Sequence, residues 1–524
     1  VSLYCIRSMS VVPQHRPSSL PSFPHARGRD YALRDSKALV RQGLPVMTKN
    51  GLDFSKVLVL LAYAGRSGSE LQSAAGLAIF LVNSFCMACG LGFARSLDTL
   101  CSQAFGAGAD RMAGIQLLRG LFMLLVLLIP LAVVCVASRF FWPLFLGDGV
   151  ASMVAFQYCL CLMPSLPCRC FYEAVDKFYL SKGVTHPQIW FAALSFVCMV
   201  GLIYVFESFP GHAPPCGFVC PPIAFSTASF LMAMCFVVYS LVTDRLEWTK
   251  GSLSEVLDSR GLMEICKLGG SAVVMTCLER WCWSGVVFVS GAFGNVAVAA
   301  SASLLSLYSA LAALPWGLSN ATAVLVGNAI GDCNYRQARR LCFAALVLIF
   351  AVMSVCCGSV VLSRKPIGHI LATDHHTHNT IVAHLPLLMA ILLADSLYAV
   401  LRGVQDGIGR QFPSACASVC AYVGVGIPAA CVFCLAWSMR LWGLFSALAL
   451  AVLVKVMVFS VFLCRVDWPL EVSKALQRLS VQTRQEGGMG MGMTGDGASP
   501  KARAYRLIHD DDIVHRETDD GMGG

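Results

Sequence analysis

Two carboxylates, Glu279 and Asp395, lie deep inside long apolar runs. At the centre of a membrane-spanning helix a charge costs at least ~2.5–3.5 kcal/mol, so an acid kept there is a candidate for function by default. In a poorly hydrated cavity the charged form of a carboxyl is disfavoured, which brings proton exchange toward cellular pH. Such a group holds either a proton or an organic cation, and competition between them is the simplest antiport cycle. One charge crossing ~100 mV gains about 2.3 kcal/mol, and one pH unit adds about 1.4 kcal/mol, so one proton supports a gradient of roughly a few hundredfold. A salt bridge from Glu279 to Arg280 is the plain alternative, but adjacent helix positions point about 100° apart. Asn83 is a cavity candidate that reads equally well as an interhelical hydrogen bond. Trp283 offers an aromatic face to a cation, or simply packs. His375, His376 and His378 resemble a weak metal site but read as solvated loop residues, so no metal is expected. The chain has no G-x-x-x-x-G-K-S/T loop, serine elbow or H-E-x-x-H helix, which leaves ATP-driven pumping and membrane enzymology without chemistry.

The elements that position these residues are membrane helices. The chain is 57% hydrophobic and 13% charged, against about 25% charged in soluble proteins. Some twenty apolar residues cross a hydrocarbon core of roughly 30 Å, and twelve such segments can be drawn. They are Gly43–Tyr63, Ala75–Ala94, Gly120–Ala137, Val150–Cys170, Ile189–Phe206 and Ile223–Val242, then Leu268–Ser290, Val296–Leu318, Leu341–Leu362, Ile381–Leu401, Pro413–Trp437 and Leu441–Cys464. Pro45, Pro164, Pro315, Pro386 and Pro428 lie in or near spans. Each removes a backbone donor where bending is useful, or is merely tolerated.

An even number of spans puts both termini on one side. Loops on that side hold Arg111, Lys177, Lys182, Arg245, Lys250, Arg260, Lys267, Arg336, Arg339, Arg340 and Arg410. Opposite loops hold Arg66, Arg139, Arg364, Lys365 and Arg440, so the bias places both termini in the cytoplasm. The net charge of +9 belongs to this topology rather than to a basic face for nucleic acid. The 25 cysteines lie mostly in apolar segments, as small apolar residues; Cys216 and Cys220, in a Pro-rich outer loop, are open to a disulfide. The expected organisation is a basic disordered arm over 1–42, a first lobe over 43–243, a cytoplasmic linker over 244–267, a second lobe over 268–465 and a disordered tail over 466–524.

The sequence repeats itself. Gly92-Phe-Ala-Arg-Ser-Leu-Asp-Thr-Leu-Cys-Ser-Gln-Ala-Phe-Gly106 follows the second segment, and Gly317-Leu-Ser-Asn-Ala-Thr-Ala-Val-Leu-Val-Gly-Asn-Ala-Ile-Gly331 follows the eighth. Leu100/Leu325, Gln103/Asn328, Ala104/Ala329 and Phe105/Ile330 match in kind within a shared Gly-x13-Gly frame. A weaker echo compares Gly183 before Pro187 and Gln188 with Gly407 before Gln411. A parallel duplication predicts two six-helix lobes meeting at a cleft near the bilayer midplane, with rocking for alternating access.

The run Leu97-Asp98-Thr99-Leu100-Cys101-Ser102-Gln103-Ala104-Phe105-Gly106-Ala107-Gly108 closely resembles the signature of the multidrug and toxic compound extrusion (MATE) family, eukaryotic type. Pro315-Trp316-Gly317-Leu318-Ser319-Asn320-Ala321, leading to Val326-Gly327-Asn328-Ala329-Ile330-Gly331, is similar to its second-lobe motif. Cys277-Leu278-Glu279-Arg280-Trp281 resembles its seventh-helix motif, Gly403-Val404 through Gly409-Arg410-Gln411 its tenth-to-eleventh connection, and Asp467-Trp468 also fits. The resemblance runs from about Gly43 to Trp468. It implies an all-α transporter of twelve helices in two pseudo-symmetric lobes around a central cleft. It also implies coupling and cation binding at Glu279 and Asp395, and Asn83 matches a polar cavity position of the family's first lobe; Trp283 and Gln411 are further candidate cavity residues. Asp98, Gln103, Gly106, Gly327, Asn328 and Gly331 are carried as family-motif positions.

This sequence departs from the family pattern at Ser284 and Ser306, where related exporters carry acids, and at Arg95 and Arg280. Lys49, Asp53 and Lys56 cluster in the first segment, either neutralising one another or marking that helix as short or misplaced. The expectation is a monomeric antiporter without cofactor, exporting organic cations, xenobiotics or metabolites in exchange for protons. It would act in the plasma membrane or a vacuolar or endosomal membrane. The alternatives are sodium coupling, an organic anion met by Arg95 or Arg280, and a flippase of lipid-linked intermediates on the same plan.

Overall fold

The computed structural model describes residues 28–66, 69–146, 149–208, 214–243, 253–371 and 374–487. Its long elements are helices, numbered here α1 to α13. The first lobe comprises α1 Gly28–Arg66, α2, α3 Asp110–Leu146, α4, α5 His186–Ser208 and α6 Pro214–Thr243. Helix α2 runs Ser69–Phe80, widens into a π-helical stretch Leu81–Cys86 and continues Met87–Gly106; α4 is Val150–Leu162 and Ser165–Ser181, divided at Pro164. The second lobe comprises α7 Ser259–Ser290, α8 Asn295–Gly331, α9 Tyr335–Leu362, α10 His375–Ile408, α11 and α12 Arg440–Cys464. Helix α11 alternates Gln411–Val419 and Ile427–Cys431 with π-helical Cys420–Gly426 and Val432–Ala436. Among the described residues, eleven helices are long and apolar enough to span a membrane. Adding α1, which carries Lys49, Asp53 and Lys56, completes the twelve-helix, two-lobe plan.

Polar residues set the helix ends. Asp258, Asn334 and Asp374 accept the backbone N–H of Gly261 (3.0 Å), Gln337 (3.0 Å) and Thr377 (2.9 Å), satisfying orphan donors of the first turn. Gly183 (φ +84°) and Gly409 (φ +87°) end α4 and α10 in the left-handed region, where an L side chain is strained. These two are the structural equivalents, so the weak echo belongs to Gly183 and Gly409 rather than to Gly183 and Gly407.

Three expectations change. The duplicated motifs do not follow the second and eighth helices; they are the last four turns of α2 and α8. Residues 28–42, read as disordered arm, are the opening turns of α1. Within the tail, α13 (Trp468–Gly487) is helical, with Val472 and Ala475 buried in the second lobe's core. Hydropathy marks the apolar stretch of each helix and misses the polar or amphipathic stretches that are also packed inside the protein. Cys216 has no described side chain, so the candidate disulfide lies outside the described residues.

Two apolar cores form, one per lobe, and they exchange ends: Leu39 of α1 joins the second lobe's core and Ile265 of α7 joins the first. The seam between lobes is reciprocal. Gly92 abuts the backbone of Val273, and its counterpart Gly317 abuts the backbone of Met47. A Cβ on Gly106 would strike the carbonyl of Asn328; one on Gly331 would strike the carbonyl of Gln103. Gln103 donates to the Gly407 carbonyl (3.0 Å) and Asn328 to the Ser181 carbonyl (3.2 Å). On the axis, equivalent positions face each other, and a Cβ on Gly327 would land on the Ser102 hydroxyl.

Gly327→Ala should therefore destabilise the protein by about 1–3 kcal/mol through overpacking. Gly358→Ala, which meets open space, should be neutral or slightly stabilising. The double exchange Ser102→Gly with Gly327→Ser restores one side chain at the axis and should recover most of the loss. Thermal unfolding followed by size-exclusion chromatography reads all three.

Candidate functional site

The two acids read from sequence are brought together by a lysine. Glu279 of α7 and Asp395 of α10 are 8% and 1% exposed. Lys455 of α12, wholly buried, places its Nζ 3.7 Å from Glu279 and 3.6 Å from Asp395. Its ammonium also donates to the Tyr422 hydroxyl at 2.6 Å and lies 3.6 Å from the Tyr398 ring centre. Arg402, two turns beyond Asp395 on α10, pairs with Glu279. Tyr308 of α8 donates to Asp395 at 2.6 Å, and Trp283 stacks on Tyr308 with ring centres 3.8 Å apart.

The charges of Glu279, Asp395, Arg402 and Lys455 sum to zero, which is what makes their burial tolerable. Capacity remains for a ligand or proton: Asp395 Oδ1, Arg402 Nε and Trp283 Nε1 are buried without hydrogen-bond partners. A proton arriving on either carboxylate leaves Lys455 or Arg402 with less to hold it. The network can therefore convert protonation into a rearrangement of α7, α10 and α12.

Other candidates go elsewhere. Trp283 joins the cluster, whereas Asn83 accepts from Arg169 of α4. Gln411 donates to the Arg95 carbonyl and to the Thr99 hydroxyl, both at 3.3 Å, and so serves the seam. Gln103, Gly106, Gly327, Asn328 and Gly331 are seam residues too, while Asp98 pairs with Lys177 at 2.7 Å. Arg280 turns away from the Glu279 pairing and lies over Trp316, 5.6 Å from its centre. Arg95 meets Asp406 across the seam at 3.3 Å. Ser306 bonds back to its own helix at the Ala302 carbonyl, 2.9 Å. His375, His376 and His378 form the first turn of α10 rather than a loop, and His378 stacks on His369. No group of three His, Cys, Asp or Glu able to hold a metal occurs among the described residues.

The sequence reading missed half of the charge. Lys49 of α1 reaches Asp176 at 2.9 Å and Glu173 at 3.0 Å on α4, and Lys56 reaches Asp53 at 2.8 Å and the Ser195 hydroxyl at 3.1 Å. The α1 charges thus do more than neutralise one another: they join α1 to α4 and α5. Glu173 and Asp176 were hidden because the fourth apolar segment stops at Cys170 while the helix continues to Ser181. Lys455 could have been found by the rule that exposed Glu279, since a cation in an apolar run is as costly as an acid.

Removing one member of a buried network leaves an uncompensated charge. Lys455→Met should cost about 3–5 kcal/mol. Asp395→Asn in the same chain should return part of that loss, a positive coupling in a double-mutant cycle of thermal stability. Strict additivity would show that the two groups do not interact.

The MatE family matches this chain over residues 45–205 and 272–432, one stretch in each lobe. The chain is 27% identical over 418 residues to an uncharacterized transporter of Schizosaccharomyces pombe, covering 79% of this chain and 76% of that protein. It is 25% identical to Multidrug and toxin extrusion protein 2 of Oryctolagus cuniculus (86% of this chain, 74% of that protein). To Protein DETOXIFICATION 14 of Arabidopsis thaliana it is likewise 25% identical (86% and 92%). Among solved structures, the eukaryotic MATE transporter AtDTX14 superposes with a TM-score of 0.79 at 24% identity, over 86% of this chain and 100% of that one.

Proposed function

The chain belongs to the MatE family of multidrug and toxin extrusion transporters, and from that premise we propose that it is a proton-driven antiporter exporting organic cations, xenobiotics or metabolites by alternating access. The observation that carries this reading is Lys455 held between Glu279 and Asp395, at 3.7 and 3.6 Å. Sodium is bound by oxygen-rich sites, but here the space between the carboxylates already holds an ammonium, with a guanidinium on Glu279. A proton needs no such space. It neutralises one carboxylate, loosens the hold of Lys455 and shifts the balance between two arrangements of the second lobe. The protonated network then favours rocking about the reciprocal seam, and release of the proton on the far side returns it. Both termini lie in the cytoplasm in this reading, in the plasma membrane or an acidic internal membrane. The names of the relatives, multidrug and toxin extrusion, support organic solutes as the cargo.

A second reading, export of a carboxylate solute, is favoured by Arg280: its guanidinium faces Trp316 and makes no ion pair among the described residues.

Proteoliposomes with an imposed pH gradient should accumulate a fluorescent organic cation, with no response to a sodium gradient. Glu279→Gln and Asp395→Asn should each slow the initial rate by about tenfold or more when normalised to the folded protein incorporated. Normal transport by both variants would remove the acids from the coupling role. Uptake of an aromatic carboxylate that depends on Arg280 would favour the second reading.

A further inference from the structure

A cavity of about 340 Å³ opens at the end of the bundle that carries α13, between α7, α11 and α13. Lys267, Arg410, Lys474 and Arg478 line it, with Glu471 as the carboxylate among them. Glu471 is already engaged: one oxygen, Oε1, accepts from Arg410 (2.6 Å) and Lys474 (2.9 Å). Burial works against its charge, but these two donors outweigh burial and hold its carboxyl below the usual range. Arg478 reaches Gln103 Oε1 at 3.3 Å and Glu264 at 3.5 Å. The Lys267 ammonium makes no ion pair with any described residue. Four cations thus face two carboxylates, and hydrogen-bond donors predominate.

Leu268 and Pro413, both on the cavity wall, are the first residues of the apolar segments in α7 and α11. The mouth therefore lies at headgroup level, and Phe412, 69% exposed, stands beside it. Basic pockets between membrane helices at this depth suit phosphate groups of acidic lipids. Arginine forks and lysine ammoniums supply the matching charge-assisted bonds.

We propose that this cavity binds a phosphate-bearing anion, supplied by the headgroup of an acidic phospholipid, and that the bound phosphate braces α13 against the entries of α7 and α11. Because Arg478 of α13 also holds Gln103, a seam residue, the lipid acts on the closed contact between lobes. Lys267 and Lys474 have no place in the coupling network, so transport chemistry is separable from this site.

The test uses the full chain in phosphatidylcholine nanodiscs, with dioctanoyl phosphatidylinositol phosphate as the lipid probe and the matching free inositol phosphate as the soluble probe. Bound lipid is read by native mass spectrometry and by the thermal midpoint. The lipid should bind, raise the midpoint and weaken with added salt. Lys267→Ala with Lys474→Ala should weaken it about 30-fold, whereas Arg364→Ala with Lys365→Ala, at the opposite end, should not. Three results would overturn the proposal: no lipid bound, equal loss in the control pair, or wild-type binding indifferent to salt. The salt titration needs no variant. If free inositol phosphate binds as tightly as the lipid, the lipid source is wrong.

Discussion

An ionised side chain inside a membrane bundle survives only beside its counter-charge, and that constraint organises this protein. Glu279 and Asp395 are tolerable because Arg402 and Lys455 meet them. Lys49, Lys56 and Lys177 are tolerable because Asp176, Glu173, Asp53 and Asp98 meet them. Each pairing joins two helices or two turns of one, so the electrostatic requirement also fixes helix positions. The result is two buried networks, one per lobe, built from different residues. Both networks touch aromatic rings and leave buried carboxylate oxygens without hydrogen-bond partners: Lys49 lies over Tyr172 and Lys455 over Tyr398, with Asp98 Oδ1, Asp176 Oδ1 and Asp395 Oδ1 unsatisfied. In the first lobe, Lys49 ties α1 to α4, and Lys56 ties it to α5.

Between the networks runs a seam made of backbone rather than charge. Glycines at 92, 106, 317, 327 and 331 let helices approach until carbonyls and main chains touch. Gln103 donates across the gap to the Gly407 and Ile408 carbonyls, and Asn328 to the Ser181 carbonyl. Close-packed, neutral contacts of this kind can part and re-form without stranding a charge in hydrocarbon. Salt bridges are also present between the lobes: Arg95 meets Asp406 at the seam, and Arg340 meets Asp35 at its edge.

Most of the fold was legible because spans announce themselves by hydropathy, and the two acids announced themselves by their cost. Boundaries were less legible. Helices α2, α4, α8 and α10 continue well past their apolar segments, because a face buried against other helices and supplied with polar partners need not be apolar. Glu173 and Asp176 vanished into that blind spot. Arg402 was lost for a similar reason, one residue beyond an apolar run ending at Leu401. Lys455 is as legible as the acids, since a cation in an apolar run is as costly as a carboxylate and a neutral cluster needs both. The motif glycines were legible as a repeat, but their partners were not, since only folding shows that Gly106 and Gly331 each rest on the other copy's amide residue.

The meeting of Ser102 with Gly327 has a consequence for symmetry itself. Two identical subunits about a two-fold axis must place the same residue on both sides of it. Here a pair of serines would collide, and a symmetric pair would be confined to glycine. One continuous chain escapes that restriction. Ser102 keeps a hydroxyl bonded to the Asp98 carbonyl, and Gly327 alone makes the room. Covalent fusion thus turns an axial contact from a shared obligation into two independent choices, and the same licence lets the two lobes bury different charges around a common joint.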